Sequence, residues 1–153
     1  MEAVRRRDAG VILHTEAREA RAVVPVVANP GYQAFWILRA GFTVAPIVAG
    51  LDKFANLLAD WTKYLAPVIP KTLGVSPETF MRGVGVIEIV AGLLVATLPR
   101  YAAYIVAAWL AAIIVNLLIL GSYFDVALRD FGLMLGAIAL GRLAQGVHQS
   151  KER

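Results

Sequence analysis

Arg39 and Glu88 stand inside stretches that are otherwise apolar, and Lys53 closes the first of these stretches. A charged group at bilayer depth costs about 2.5 to 3.5 kcal/mol on insertion scales, so such residues face a partner, a cavity or a water path. At 100° per residue, Arg39, Pro46, Gly50 and Lys53 fall within about 40° of one line along a helix. Pro46 also removes the hydrogen bond to the Phe42 carbonyl, leaving an acceptor on that face. Glu88 shares a helical face with Val84, Gly85, Gly92 and Val95, and the glycines predict a close neighbouring helix. Placing Arg39 in a span from about residue 32 to 51, and Glu88 in one from about 79 to 98, brings their levels within side-chain reach. A buried Arg39–Glu88 pair is therefore expected. Two readings of it stay open: mutual neutralisation that fixes helix register, or a ligand-binding or proton-handling site that also draws on Lys53 and Asn116.

A second polar group, Asp52, Asp125, Arg129 and Asp130, gathers near the opposite end of the spans from the chain termini. Asp125 and Arg129, four residues apart with the acid first, form a favourable helix pair. This outer cluster reads first as an interfacial rim. Asn116, on a face with Trp109, Ala112 and Tyr123, reads first as an interhelical hydrogen bond. The chain has no cysteine, which excludes thiolate nucleophiles, cysteine-held metals and clusters within it. His14 and His148, the two histidines, lie near the ends, so no metal site is expected. Phosphate-binding glycine loops, metalloprotease motifs and nucleophile signatures are absent. The net charge of +4 comes from basic residues flanking apolar segments, a pattern of membrane orientation rather than nucleic-acid binding.

The elements that position these residues follow from composition. Of 153 residues, 59% are hydrophobic and 17% charged, which makes the lipid bilayer the expected surroundings and leaves no room for a large extramembrane catalytic domain. The pattern predicts an all-α fold, a transmembrane four-helix bundle with an amphipathic interfacial helix between helices 1 and 2. The spans are about Tyr32 to Leu51, Thr79 to Leu98, Tyr101 to Phe124 and Val126 to Ala144. The third runs 24 residues without a charge. The second starts with Ser76 as N-cap, Pro77 at the first helical position and Glu78 in the first turn. The interfacial helix is read from Phe54, Leu57, Leu58, Trp61 and Leu65, ended by Pro67 and Pro70. Residues 1–31 form a charged tail with a short helix around Glu16 to Val24, residues 32–145 the membrane domain, and 146–153 a polar tail.

With both termini in the cytoplasm, nine of the 15 basic residues lie inside, five outside, and Arg39 within the membrane. Small residues repeat at a spacing of four in Gly41, Ala45 and Ala49, in Ala103, Ala107 and Ala111, and in Gly132 and Gly136, as close helix packing or self-association requires.

The segments Ile37-Leu38-Arg39-Ala40-Gly41 and Gly50-Leu51-Asp52-Lys53-Phe54 resemble the opening of DoxX-like membrane proteins. Glu88 with the following Ile89-Val90-Ala91-Gly92-Leu93-Leu94 is similar to their second helix, and Asp125-Val126-Ala127-Leu128-Arg129-Asp130-Phe131-Gly132 to the start of their fourth. The resemblance covers about Tyr32 to Leu143. It implies a bacterial inner-membrane protein, a quinone as non-covalent cofactor, and a soluble redox or detoxification enzyme as partner, with Arg39, Lys53 and Glu88 at the matching positions. Membrane subunit of a quinone-linked redox or thiol and sulfur system is the function so implied. A non-catalytic anchor or assembly partner, or a homo-oligomer, is the alternative.

Overall fold

The computed structural model describes residues 29–151. The expected charged tail, with its helix around Glu16 to Val24, lies outside them but for its last residues. The chain divides into two units, Met1–Gln33 and Ala34–Arg153. Of the first, the described part is a helix start, where the Asn29 side chain accepts from the Gly31 N–H at 2.8 Å. The second holds everything that follows.

Helix α1 (Pro30–Ala55) runs unbroken through Pro46. A 3-10 turn (Trp61–Tyr64) and the short helix α2 (Val68–Leu73) lead to α3 (Pro77–Thr97), α4 (Pro99–Leu120) and α5 (Phe124–Lys151). No strand occurs among the described residues. Helices α1, α3 and α4 are long and apolar enough to cross a membrane. Helix α5 is longer than any of them, but its longest charge-free stretch, residues 131–141 between Asp130 and Arg142, is too short to cross by itself.

The helix boundaries have local causes. Ser76 caps α3 by accepting from the Thr79 N–H at 3.2 Å, with Pro77 in the first turn, as its sequence requires. Helix α4 ends at Gly121, whose φ of 70° is the left-handed conformation that closes a helix most cheaply with glycine. One expectation fails at the boundaries. The α1–α3 connection is not an amphipathic helix from Phe54 to Leu65: the chain leaves helix at Asn56, φ 50°, and residues 57–60 are irregular. The cause is Asp52, which draws the following N–H groups away from a helical path. Residues 146–151 continue α5.

Tight packing rests on small residues. Ala102, Ala103, Val106 and Ala107 of α4 and Ala137, Leu140 and Ala144 of α5 form the buried core with Phe35, Ala91 and Val95. Where burying apolar groups gains little, such side chains let backbones approach and gain dispersion contacts. The same device joins α1 to α3. A Cβ added to Gly50 would sit 2.6 Å from the Gly85 carbonyl oxygen, and one added to Gly92 would sit 2.7 Å from that of Thr43. The other expected stripe positions divide: Gly136 meets Phe42, whereas Gly41 and Gly132 have nothing within 4 Å of a built Cβ.

Candidate functional site

The glycine crossing sets the register of α1 against α3, and with it the site. Gly50 lies beside Gly85 and Thr43 beside Gly92, while Arg39 donates to the carbonyl of Ala96. Ala96 and Glu88 are eight residues apart, about 12 Å along a helix. Arg39 therefore does not pair with Glu88. Its guanidinium supplies a donor to the last turn of α3, where carbonyls lack helical partners and the dipole favours a cation. It also lies 4.8 Å from the ring centroid of Trp36 and 5.8 Å from that of Phe35.

Lys53 takes the place expected of Arg39. Its Nζ lies 2.6 Å from Glu88 Oε2, with the two side chains 4% and 12% exposed. Helix α1 extends past Leu51 to Ala55, so Lys53 stands on the packed face of the helix rather than at an open rim. The indole of Trp61 covers the ammonium, its ring centroid 3.7 Å from Nζ. Trp61 is in turn held by Asp52, which accepts from Trp61 Nε1 at 2.7 Å and from the N–H groups of Leu57 and Leu58 at 2.9 and 3.0 Å. Asp52 is thus a loop-capping carboxylate rather than part of an open rim. Farther along the loop, the Thr62 hydroxyl donates to Asp60 at 2.6 Å and, with Lys63 nearby, holds that exposed carboxyl below the usual range.

The α5 acids behave differently from expectation. Asp125 and Arg129 do not pair; Arg129 donates through Nε and a terminal nitrogen to the adjacent Asp130 at 3.1 and 3.0 Å. The Asp130 carboxylate is buried and the Arg129 side chain 64% exposed, the geometry of a cation reaching outward from a buried acid. Asp125 stays exposed in the first turn of α5, where the helix dipole favours an acid. Asp130 is within electrostatic range of Glu88, so the cluster brings together Lys53, Glu88 and Asp130, with Asp52 joined through Trp61. No group of residues suited to hold a metal ion occurs among the described residues.

Trp109 is the member that the sequence did not mark. Its indole lies alongside Glu88, yet Nε1 is buried with no hydrogen-bond partner among the described residues. Its ring also walls an apolar recess with Phe80, Gly83, Val84 and Ile87. Trp61 was legible only as a hydrophobic stripe position; the sole hint of its role is a carboxylate nine residues earlier at the helix end.

Asn116 belongs to the scaffold. It joins no two of the long helices but clamps the connection, donating to the Tyr64 carbonyl at 2.6 Å and accepting from the Ala66 N–H at 2.9 Å. Asn116→Ala leaves both backbone groups without partners, a cost of about 1 to 3 kcal/mol for each that stays buried. The expected result is a lower melting temperature and faster amide exchange confined to residues 61–66. Unchanged exchange there would rule out the clamp. No family model matches the chain, and no curated protein or solved structure matches it either.

Proposed function

We propose that the chain is a multi-pass protein of the bacterial inner membrane, a four-helix bundle in which α5 also crosses and both termini face the cytoplasm. In this reading it is DoxX-like, and it binds a quinone beside Lys53 and Glu88 as the membrane subunit of a redox or thiol and sulfur detoxification system. One observation carries the ligand site: Trp109 Nε1, buried within electrostatic reach of the Glu88 carboxylate but making no well-formed hydrogen bond. A buried donor left unsatisfied costs about 1 to 3 kcal/mol, and a ligand that brings an acceptor removes that cost. A quinone combines carbonyl acceptors with an apolar ring, and the recess walled by Trp109, Val84 and Ile87 is apolar. When bound, a quinone supplies two-electron acceptance. The residues of this chain would orient it: Trp109 would donate to a carbonyl, with Lys53 and Glu88 close by. Without cysteine, the chain needs a soluble partner as the source of electrons. The fourth crossing is supported by Asp130 buried under Arg129 at one end of the charge-free stretch and Arg142 at the other.

The test is purification from native membrane in mild detergent, with quinone extracted and quantified for the parent and for Trp109→Phe. The parent should retain quinone and the variant about tenfold less, the effect of one hydrogen bond in a dry site. A cooperative melting transition of the variant serves as the control that it is folded. Equal retention, or none in the parent, would overturn the quinone site.

A second reading, membrane anchor or assembly partner, is favoured by the outward face of α1. Gly41, Ala45 and Ala49 line an open apolar groove with Val44 and Val48, a surface that another membrane helix could approach closely. A protein that co-purifies without quinone would favour this alternative.

A further inference from the structure

We propose that residues 56–61 form a latched lid over the Lys53–Glu88 pair, with Trp61 as the plug and Asp52 as the latch. The inference does not depend on which ligand the pair serves.

The lid is a strap between two fixed points. Upstream, Asn56 leaves α1 in the left-handed region at φ 50°, its N–H bonded to the Asp52 carbonyl at 2.6 Å. A non-glycine residue held there marks a sharp and specific change of direction. Downstream, Asn116 clamps the backbone at Tyr64 and Ala66. Between these points residues 57–60 have no regular structure. Leu57 and Leu58 are 85% and 70% exposed, so their side chains add little packing to hold the strap down. What does hold it is the Asp52 carboxylate, which gathers the Leu57 and Leu58 N–H groups and the Trp61 indole. A segment with few apolar contacts and its hydrogen bonds gathered on one group opens locally, without unfolding the helices. When it opens, the ring that lies 3.7 Å from Lys53 Nζ is lifted away. The buried pair is then reached from the loop end of α1.

Acylation of native Lys53 by a water-soluble, amine-reactive ester, followed by peptide mass spectrometry, reads the cover directly. The full chain in mild detergent is used, and Lys71, outside the strap, serves as the internal standard on the same molecule. Glu88 stays in place throughout, so changes in the Lys53 rate report the lid. Trp61→Ala removes the plug. Asp52→Ala leaves the ring in place and removes only the latch. Both should raise Lys53 acylation about tenfold or more relative to Lys71, the factor that loss of a charge-assisted hydrogen bond gives. Trp61→Phe, which keeps a ring but loses the bond to Asp52, should give a smaller rise. Unchanged Lys53 acylation in Trp61→Ala would show that Trp61 does not cover the ammonium. A rise there with none in Asp52→Ala would show a fixed plug rather than a lid. If Asp52→Ala fails to melt cooperatively, Trp61→Phe decides the latch: no rise overturns it. Because the readout is acylation, the lid and the quinone site stand or fall separately.

Discussion

Glu88→Ala should be among the most destabilising single substitutions in this protein. It leaves the Lys53 ammonium buried beneath Trp61 without the carboxylate 2.6 Å away. Removing one member of a buried ion pair costs about 3 to 5 kcal/mol, because the survivor keeps its desolvation cost and loses its compensation. Lys53→Met should be of similar severity, since Glu88 then loses its cation and keeps the like charge of Asp130 nearby. The double variant Lys53→Met with Glu88→Leu should recover most of the loss, as apolar replacements of whole buried pairs commonly do. Thermal melting in detergent over the four corners of the cycle measures the coupling directly. The companion cycle between Arg39 and Glu88 should show additivity within about 0.5 kcal/mol, because their levels differ by about 12 Å and they share no partner. Strong coupling there, or none between Lys53 and Glu88, would overturn the assignment of the pair.

That contrast also shows what the residue types alone could and could not tell. Three apolar helices and a buried cation–carboxylate pair were legible, because charged residues are rare enough in such stretches to demand partners. Which cation pairs with Glu88 was not. A span fitted to hydrocarbon thickness stops near Leu51, while α1 continues to Ala55, and the register that brings Lys53 rather than Arg39 to the acid is set by the Gly50–Gly85 and Thr43–Gly92 contacts, which span length does not reveal. The spacing of Phe54, Leu57, Leu58, Trp61 and Leu65 matched a helix, but periodicity cannot weigh a carboxylate that takes the N–H groups of Leu57 and Leu58 for itself. Asp125 and Arg129 had the right spacing for a pair, and burial decided against it: Asp130 is the acid removed from solvent, so it gains more from the guanidinium. Trp109 could not be singled out, since only the packed helices show that its Nε1 is left without an acceptor.

Register makes the glycines of the α1–α3 crossing the other large-effect positions. Gly50→Ala places a methyl carbon 2.6 Å from the Gly85 carbonyl oxygen and 2.9 Å from the Ile89 side chain. Gly85→Ala does the same in reverse, 2.6 Å from the Gly50 carbonyl oxygen. Neither obstacle is the far end of a flexible side chain, so the helices must separate. Overpacking a tight contact costs about 1 to 3 kcal/mol, with more expected when backbone must move. Helix propensity opposes this by about 1 kcal/mol, since alanine is the better helix former. Steric cost should win at Gly50 and Gly85, and the net effect at Gly41, where a Cβ meets nothing within 4 Å, should be neutral or stabilising. Separation has a further consequence that a simple loss of stability lacks. The Cβ of Lys53 packs 3.1 Å from the position a methyl would take on Gly85, so Gly85→Ala pushes directly against the residue that reaches Glu88. The Lys53–Glu88 coupling energy measured in a Gly85→Ala background should therefore fall well below its parent value, whereas in a Gly41→Ala background it should be retained. Equal coupling in the two backgrounds would mean that the pair sets its own geometry and the glycine crossing does not position it.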